Sequence, residues 1–254
     1  MKPSVAPILS LRIPVLSRKE AYRRLEDMLQ QKSAARVYTP NPQMALRAAL
    51  SPALSRMLGR ASLLLPDGVG LVIASRLLGT PLPARITGID TAEYLLRVAE
   101  SKGLSVALLG ARPGVAEKAA RRLRQRYPRL RTVFCHHGYF EKSGKENEAV
   151  LRALRRVEPD ILFVCFGFPA QEIWIDRHAA SIPSLRLCLG LGGALDVFAG
   201  QTRRAPNALC AVGLEWLWRT LSDPKRYRNF VEIPLFLLLV LRQKKKRRLA
   251  NPPL

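Results

Sequence analysis

Apolar residues along this chain fall into short continuous runs separated by longer stretches with helical spacing. Leu104-Ser-Val-Ala-Leu-Leu109, Asp160-Ile-Leu-Phe-Val-Cys-Phe166 and Leu185 to Leu191 have the length of strands. They are too continuously apolar for strands with one wet face, so a sheet covered on both sides is expected. Arg36-Val-Tyr-Thr39, Thr132 to His136 and the run ending at Leu65 read as further strands. Helical spacing links Leu25 and Leu29 within residues 18–31, and it recurs over residues 43–58, 69–78, 89–102, 115–127 and 146–157 and in the segment through His178. Gly103 stands where a left-handed helix cap is wanted. The alternation predicts an α/β fold with a mostly parallel, doubly wound sheet.

From Ala199 onward the pattern changes, which divides the chain into a body at 1–198 and an appendage at 199–254. The appendage holds Trp216 and Trp218, a nine-residue apolar run from Ile233 to Leu241, and the basic cluster Arg242-Gln-Lys-Lys-Lys-Arg-Arg248. Nine residues fall well short of the roughly 20 that span a bilayer. Apolar run and basic cluster together describe a helix lying on an anionic membrane surface, the alternative being a helix packed on the body with a solvated basic tail. At the other end, Pro3, Pro7, Arg12 and Pro14 interrupt the apolar residues, so the continuous core of a signal peptide is missing.

Composition narrows the partners. A chain of 254 residues, 48% of them hydrophobic, is long enough to bury a full core. Its net charge of +23 calls for a polyanionic partner: phosphorylated substrates, anionic lipid or nucleic acid. Cys135, Cys165, Cys188 and Cys210 stand far apart with neither metal nor disulfide spacing, which points to a reducing cytoplasm.

The candidate chemistry sits in the turns that end the strands. Pro66-Asp67-Gly68 places one carboxylate where ligands bind in open α/β sheets, although Asp67 could equally cap the helix that follows. Gly110-Ala-Arg-Pro-Gly114 opens a helix and could offer bare amides to a phosphate. No D-x-D or G-x-S-x-G occurs, and no cluster of His, Cys or carboxylates has metal-ligand spacing, so neither a metal nor a tightly held cofactor is expected. Glu172 and Asp176 lie one helical turn apart and read as an exposed helix face.

Seven short motifs, in order over about residues 35–230, resemble those of the WecG/TagA/CpsF glycosyltransferases. They are Thr39-Pro-Asn-Pro42, Pro66-Asp-Gly68, Arg85-Ile-Thr-Gly88, His137-Gly-Tyr-Phe140, Gly167-Phe-Pro-Ala-Gln-Glu172, Gly192-Gly-Ala-Leu-Asp196 and Gly213-Leu-Glu-Trp216. The resemblance implies a Rossmann-like body and transfer, with inversion, of an N-acetylmannosamine-type sugar. The donor would be a UDP-sugar and the acceptor an N-acetylglucosamine carried on undecaprenyl diphosphate. It implies a peripheral enzyme on the cytoplasmic face of the bacterial inner membrane and leaves room for a homo-oligomer. Asp67 would then be the general base, Thr39, Asn41, Arg85 and Gln171 active-site residues, Tyr139 and Asp196 neighbours of the uridine, and Gly110 and Gly167 further nucleotide-binding positions. Arg219, Arg226 and, by a looser fit, Arg228 would meet the diphosphates.

Two other functions compete. A nucleic-acid-binding module would suit the charge, but it needs a basic recognition helix or interleaved aromatic and basic residues, and neither is present. A nicotinamide oxidoreductase would need the triple-glycine fingerprint and an acid about 20 residues beyond it. No nucleic-acid partner is therefore expected.

Overall fold

The computed structural model describes residues 4–31, 33–202, 205–206, 209, 218 and 229–250. The chain opens with an antiparallel hairpin, β1 (Val5–Ile8) and β2 (Leu11–Pro14). Helix α1 (Arg18–Gln30) follows, started by a reciprocal cap between Ser17 and Glu20. Then come β3 (Ala35–Tyr38), α2 (Pro42–Leu50), α3 (Pro52–Gly59), β4 (Leu63–Leu64), α4 (Val69–Leu77) and α5 (Gly88–Lys102). Next are β5 (Ser105–Gly110), α6 (Val115–Arg126), β6 (Arg131–His136) and α7 (Gly144–Val157). The series ends with β7 (Ile161–Cys165), α8 (Ala170–His178), β8 (Leu187–Gly190), α9 (Ala194–Phe198) and α10 (Asn229–Ala250).

Six of the strands form one sheet in the order β4-β3-β8-β7-β5-β6, and every pairing in it is parallel. Every residue of β5, β7 and β8 is buried, as their unbroken apolar runs require. Helices α1, α5, α6 and α9 cover one face. The hairpin and α2, α3, α4, α7, α8 and α10 cover the other. The neighbouring strands β5 and β7 therefore send their helices, α6 and α8, to opposite faces. That divergence opens a crevice at the carboxyl ends of the strands.

Three elements depart from the sequence reading. The helix expected over residues 43–58 is two helices, because Pro52 cannot continue α2 and Ser51 caps α3 by accepting a hydrogen bond from the Leu54 amide. The proline-broken leader is a hairpin whose Ala6, Ile8, Leu11 and Ile13 face the core. Finally, the apolar run of the appendage belongs to the 22-residue helix α10, which packs on the body.

Packing on the body accounts for one face of that helix and leaves the other exposed. Inward, Phe236 and Val240 are fully buried. Glu232 pairs with Arg47 at 2.9 Å and with Gln43, while Gln243 accepts from the Leu9 amide at 2.9 Å and donates to the Pro7 carbonyl at 3.1 Å. Outward, Val231, Leu235, Leu238 and Leu241 are exposed at helical spacing. Among the described residues no helix is long and apolar enough to cross a membrane.

Candidate active site

Three of the motifs meet at the carboxyl ends of β3 and β4, beside the end of β8. Pro66-Asp-Gly68 leaves β4 and is fastened to its neighbours by backbone bonds. The Asp67 amide donates to the Pro40 carbonyl at 2.8 Å, and the Ile86 amide donates to Pro66 at 2.8 Å. Gly68 takes φ +98°, and a Cβ on Gly70 would lie 2.6 Å from the Pro42 ring, so only glycines let this turn lie against Pro40-Asn-Pro42. Gly88 is equally constrained, since its Cβ would stand 3.1 Å from Thr39 Oγ1 and 3.3 Å from Leu191.

Asp67 is half-buried, and its Oδ2 accepts a hydrogen bond from the Gly88 amide at 3.1 Å. It does not cap α4, which starts at Gly68 without any side-chain cap. Its carboxylate instead lies at the amino end of α5, where that helix's dipole favours negative charge. Thr39 and Arg85, also half-buried, flank it in the chain segments just described. Asn41 has a structural task as well: its Oδ1 caps α2 by accepting from the Met44 amide at 2.9 Å.

A second group gathers over β5, β6 and β7. Gly110, at φ +141°, allows the closest approach, because a Cβ there would lie 2.4 Å from the Cys165 carbonyl. The Ala111 amide donates to that carbonyl, and the Ala111 carbonyl accepts from the Gly138 amide at 2.7 Å. This ties the His137-Gly-Tyr-Phe140 loop to the β5 turn and leaves Tyr139 69% exposed at the crevice. Lys142 braces the loop from below, donating to the Gly138 and Phe140 carbonyls at 2.6 and 2.7 Å while lying over the Phe140 and Phe166 rings. Burial holds its ammonium below the usual lysine range. Asp196, in α9, adjoins the Cys165 thiol, whose pKa burial pushes up to about 12.

Between the two groups stands Gln171. Its Oε1 accepts from the Gly167 amide at 3.1 Å and from the Gly192 amide at 2.8 Å, so one side chain joins the turns that leave β7 and β8. Its Nε2 donates to Glu172 Oε1 at 2.8 Å. The expectation of an exposed face at Glu172 and Asp176 is wrong. Glu172 is only 1% exposed, and Asp176 is largely covered while it pairs with Arg36 and Arg60. Glu172 shares a helical face with Ile175 and Ala179, both buried, and that spacing was the available signal. Desolvation raises the Glu172 carboxyl to about 7, against hydrogen bonds that lower it. Lys142 offered no comparable pattern. Arg219, Arg226, Arg228 and the Gly213–Trp216 motif lie outside the described residues. Among the described residues no group of three or more His, Cys, Asp or Glu is placed to hold a metal ion.

Residues 6–250 match the model of the glycosyl transferase WecG/TagA/CpsF family. The chain belongs to that family. It is 37% identical over 215 residues to proteins of Staphylococcus aureus strains MRSA252, MW2 and COL, covering 85% of this chain and 83% of each relative. All three are named N-acetylglucosaminyldiphosphoundecaprenol N-acetyl-beta-D-mannosaminyltransferase. Membership makes the chain a glycosyltransferase and decides against both the nucleic-acid module and the oxidoreductase. The Rossmann-like fold expected of such an enzyme is the one observed, a six-stranded parallel sheet between two helical layers.

Proposed function

We propose that the protein transfers an N-acetylmannosamine-type sugar from a UDP-sugar to an N-acetylglucosamine linked through diphosphate to undecaprenol. The observation that carries this reading is the position of Asp67, a carboxylate suspended at the amino end of α5 between the Thr39 and Arg85 segments. The nucleotide would occupy the crevice beside Gly110, Tyr139, Gly167 and Asp196, which puts its sugar toward Asp67. Asp67 takes the proton of the acceptor hydroxyl, the freed oxygen bonds to the anomeric carbon, and the bond from that carbon to the UDP oxygen breaks. Attack opposite the leaving group inverts the anomeric centre. Charge accumulating on UDP is met by turn amides and by Arg219, Arg226 and Arg228, without a metal.

The acceptor's long lipid requires the enzyme to work at a bilayer surface, on the cytoplasmic face if the donor is a cytoplasmic nucleotide sugar. The outward stripe of α10 suits that task. Val231, Leu235, Leu238 and Leu241 are exposed, as are Arg242, Lys245, Lys246 and Arg248. Apolar contact with a basic flank is how interfacial helices hold to anionic membranes. In this reading residues 199–254 serve both as membrane contact and as part of the active site.

The test is a panel of UDP-sugars offered to purified protein with a short-chain lipid-diphosphate-N-acetylglucosamine acceptor. Formation of a disaccharide lipid with release of UDP is expected, fastest with UDP-N-acetylmannosamine. Absence of product from every donor in the panel would overturn the proposal.

A further inference from the structure

The carboxyl group of Glu172 has no place in the chemistry above, yet it is buried directly beneath the site. One oxygen, Oε1, accepts from Gln171 Nε2 at 2.8 Å. The other, Oε2, is buried without a hydrogen-bond partner. A buried, half-satisfied acid destabilises a fold unless something is gained from it. Room has also been made for the pair: β8 ends in Gly190, whose Cβ would stand 3.0 Å from Gln171 Nε2 and 3.3 Å from Glu172 Oε1. Gln171 in turn holds Gly167 and Gly192, two glycines with φ of +83° and +54°.

We propose that Glu172 is a positioning residue, whose carboxylate fixes the Gln171 carboxamide and through it the spacing of the Gly167 and Gly192 turns across the donor site. The assignment of these turns to the donor rests on the function proposed above. The carboxylate decides which end of the amide faces α8, since only the NH₂ group can donate to it. Ionised Glu172 makes a charge-assisted bond with Nε2, whereas the protonated acid is a weaker acceptor. The carboxyl changes state near neutrality, at about 7. Ionisation tightens the staple, so donor binding should strengthen as pH rises through that value.

Other groups adjoin the pair. Tyr38 of β3 donates its hydroxyl to the Glu172 backbone carbonyl at 3.4 Å, and burial raises its own pKa far above neutrality. Cys188 of β8 is a buried thiol whose pKa is likewise raised by desolvation. On α8, Asp176 is held by Arg36 and Arg60. The raised Tyr38 hydroxyl and Cys188 thiol both stay neutral between pH 6 and 8.5, and His136 and His137 lie on the nucleotide side. The variants separate the histidines from Glu172.

Donor KM, kcat and calorimetric UDP affinity would be measured from pH 6 to 8.5 for the wild type, Glu172→Gln, Gln171→Ala and the double variant. Amide exchange at Gly167 and Gly192 would be followed in the ligand-free proteins. Glu172→Gln is expected to raise donor KM about fivefold at pH 8, the difference between a charge-assisted and a neutral hydrogen bond, with kcat within about twofold. The inflection of KM near neutral pH should disappear, exchange at both glycines should speed up, and the substitution should add nothing in the Gln171→Ala background. If Glu172→Gln fails to fold, Gln171→Ala alone must abolish the inflection. Additive effects, or an inflection that survives both single variants, would overturn the inference. Exchange needs no turnover: faster exchange in an enzyme that transfers no sugar counts against the proposed function, and unchanged exchange counts against the role of Glu172.

Discussion

Replacing Phe236 by alanine tests whether α10 is part of the folded body. The ring is fully buried, and its Cε1 would lie 3.9 Å from a Cβ on Gly70, two residues beyond the turn that carries Gly68. Truncating a buried phenylalanine removes its transfer free energy and leaves a cavity, at a cost of about 3–5 kcal/mol. The Glu232–Arg47 pair, with both side chains partly exposed, holds the same helix but contributes at most about 1 kcal/mol, so packing dominates. For a domain of this size the loss corresponds to a drop of about 6–20 °C in melting temperature. Leu238→Ala is the internal control: that side chain is 45% exposed, and truncating it should change stability by less than about 0.5 kcal/mol. Thermal denaturation of both variants decides the matter. A Phe236→Ala protein that melts with the wild type would show that α10 does not depend on this contact, and its role as part of the body would fall.

Three further outcomes are expected. Changing Leu235 and Leu238 together to aspartate should leave the melting temperature nearly unchanged and abolish sedimentation with anionic vesicles; binding that persists would move the membrane contact elsewhere. Turnover should continue in excess EDTA, given the lack of a metal-ligand cluster among the described residues; loss in chelator that Mg²⁺ or Mn²⁺ restores would reveal a metal requirement. Gly110→Ala should impair folding and UDP binding together, because its Cβ would meet the Cys165 carbonyl at 2.4 Å in a conformation that L-residues avoid, and a variant with wild-type melting and affinity would contradict this.

Much of the sheet was legible because buried parallel strands are written as unbroken apolar runs. The strands read over 104–109, 160–166 and 185–191 correspond to β5, β7 and β8 with ends that differ by no more than two residues. The hairpin escaped notice because Pro7 and Pro14 mask the alternation of Ala6, Ile8, Leu11 and Ile13. The break between α2 and α3 was present as Ser51-Pro52, but an apolar period continuing on both sides obscured it. The candidate residues of the site were legible as strand-end motifs, whereas their partnerships were not. That Asp67 receives the Gly88 amide, and that Gln171 joins two turns, depends on how loops 21 residues apart meet at the strand ends, which no local pattern encodes. Glu172 was misread because a charged residue on a helix usually faces water, and here it lies in the first turn of α8 on the face buried with Ile175.

The central claim, that Asp67 is the base of a sugar transferase, is tested most directly by Asp67→Asn. Asparagine keeps an oxygen for the Gly88 amide, so the turn and UDP binding should survive while proton acceptance is lost. Single-turnover transfer to the lipid-diphosphate acceptor, measured beside calorimetric UDP binding, should fall about 10²- to 10⁴-fold with UDP affinity unchanged. A variant that keeps more than half of the wild-type rate would contradict the account.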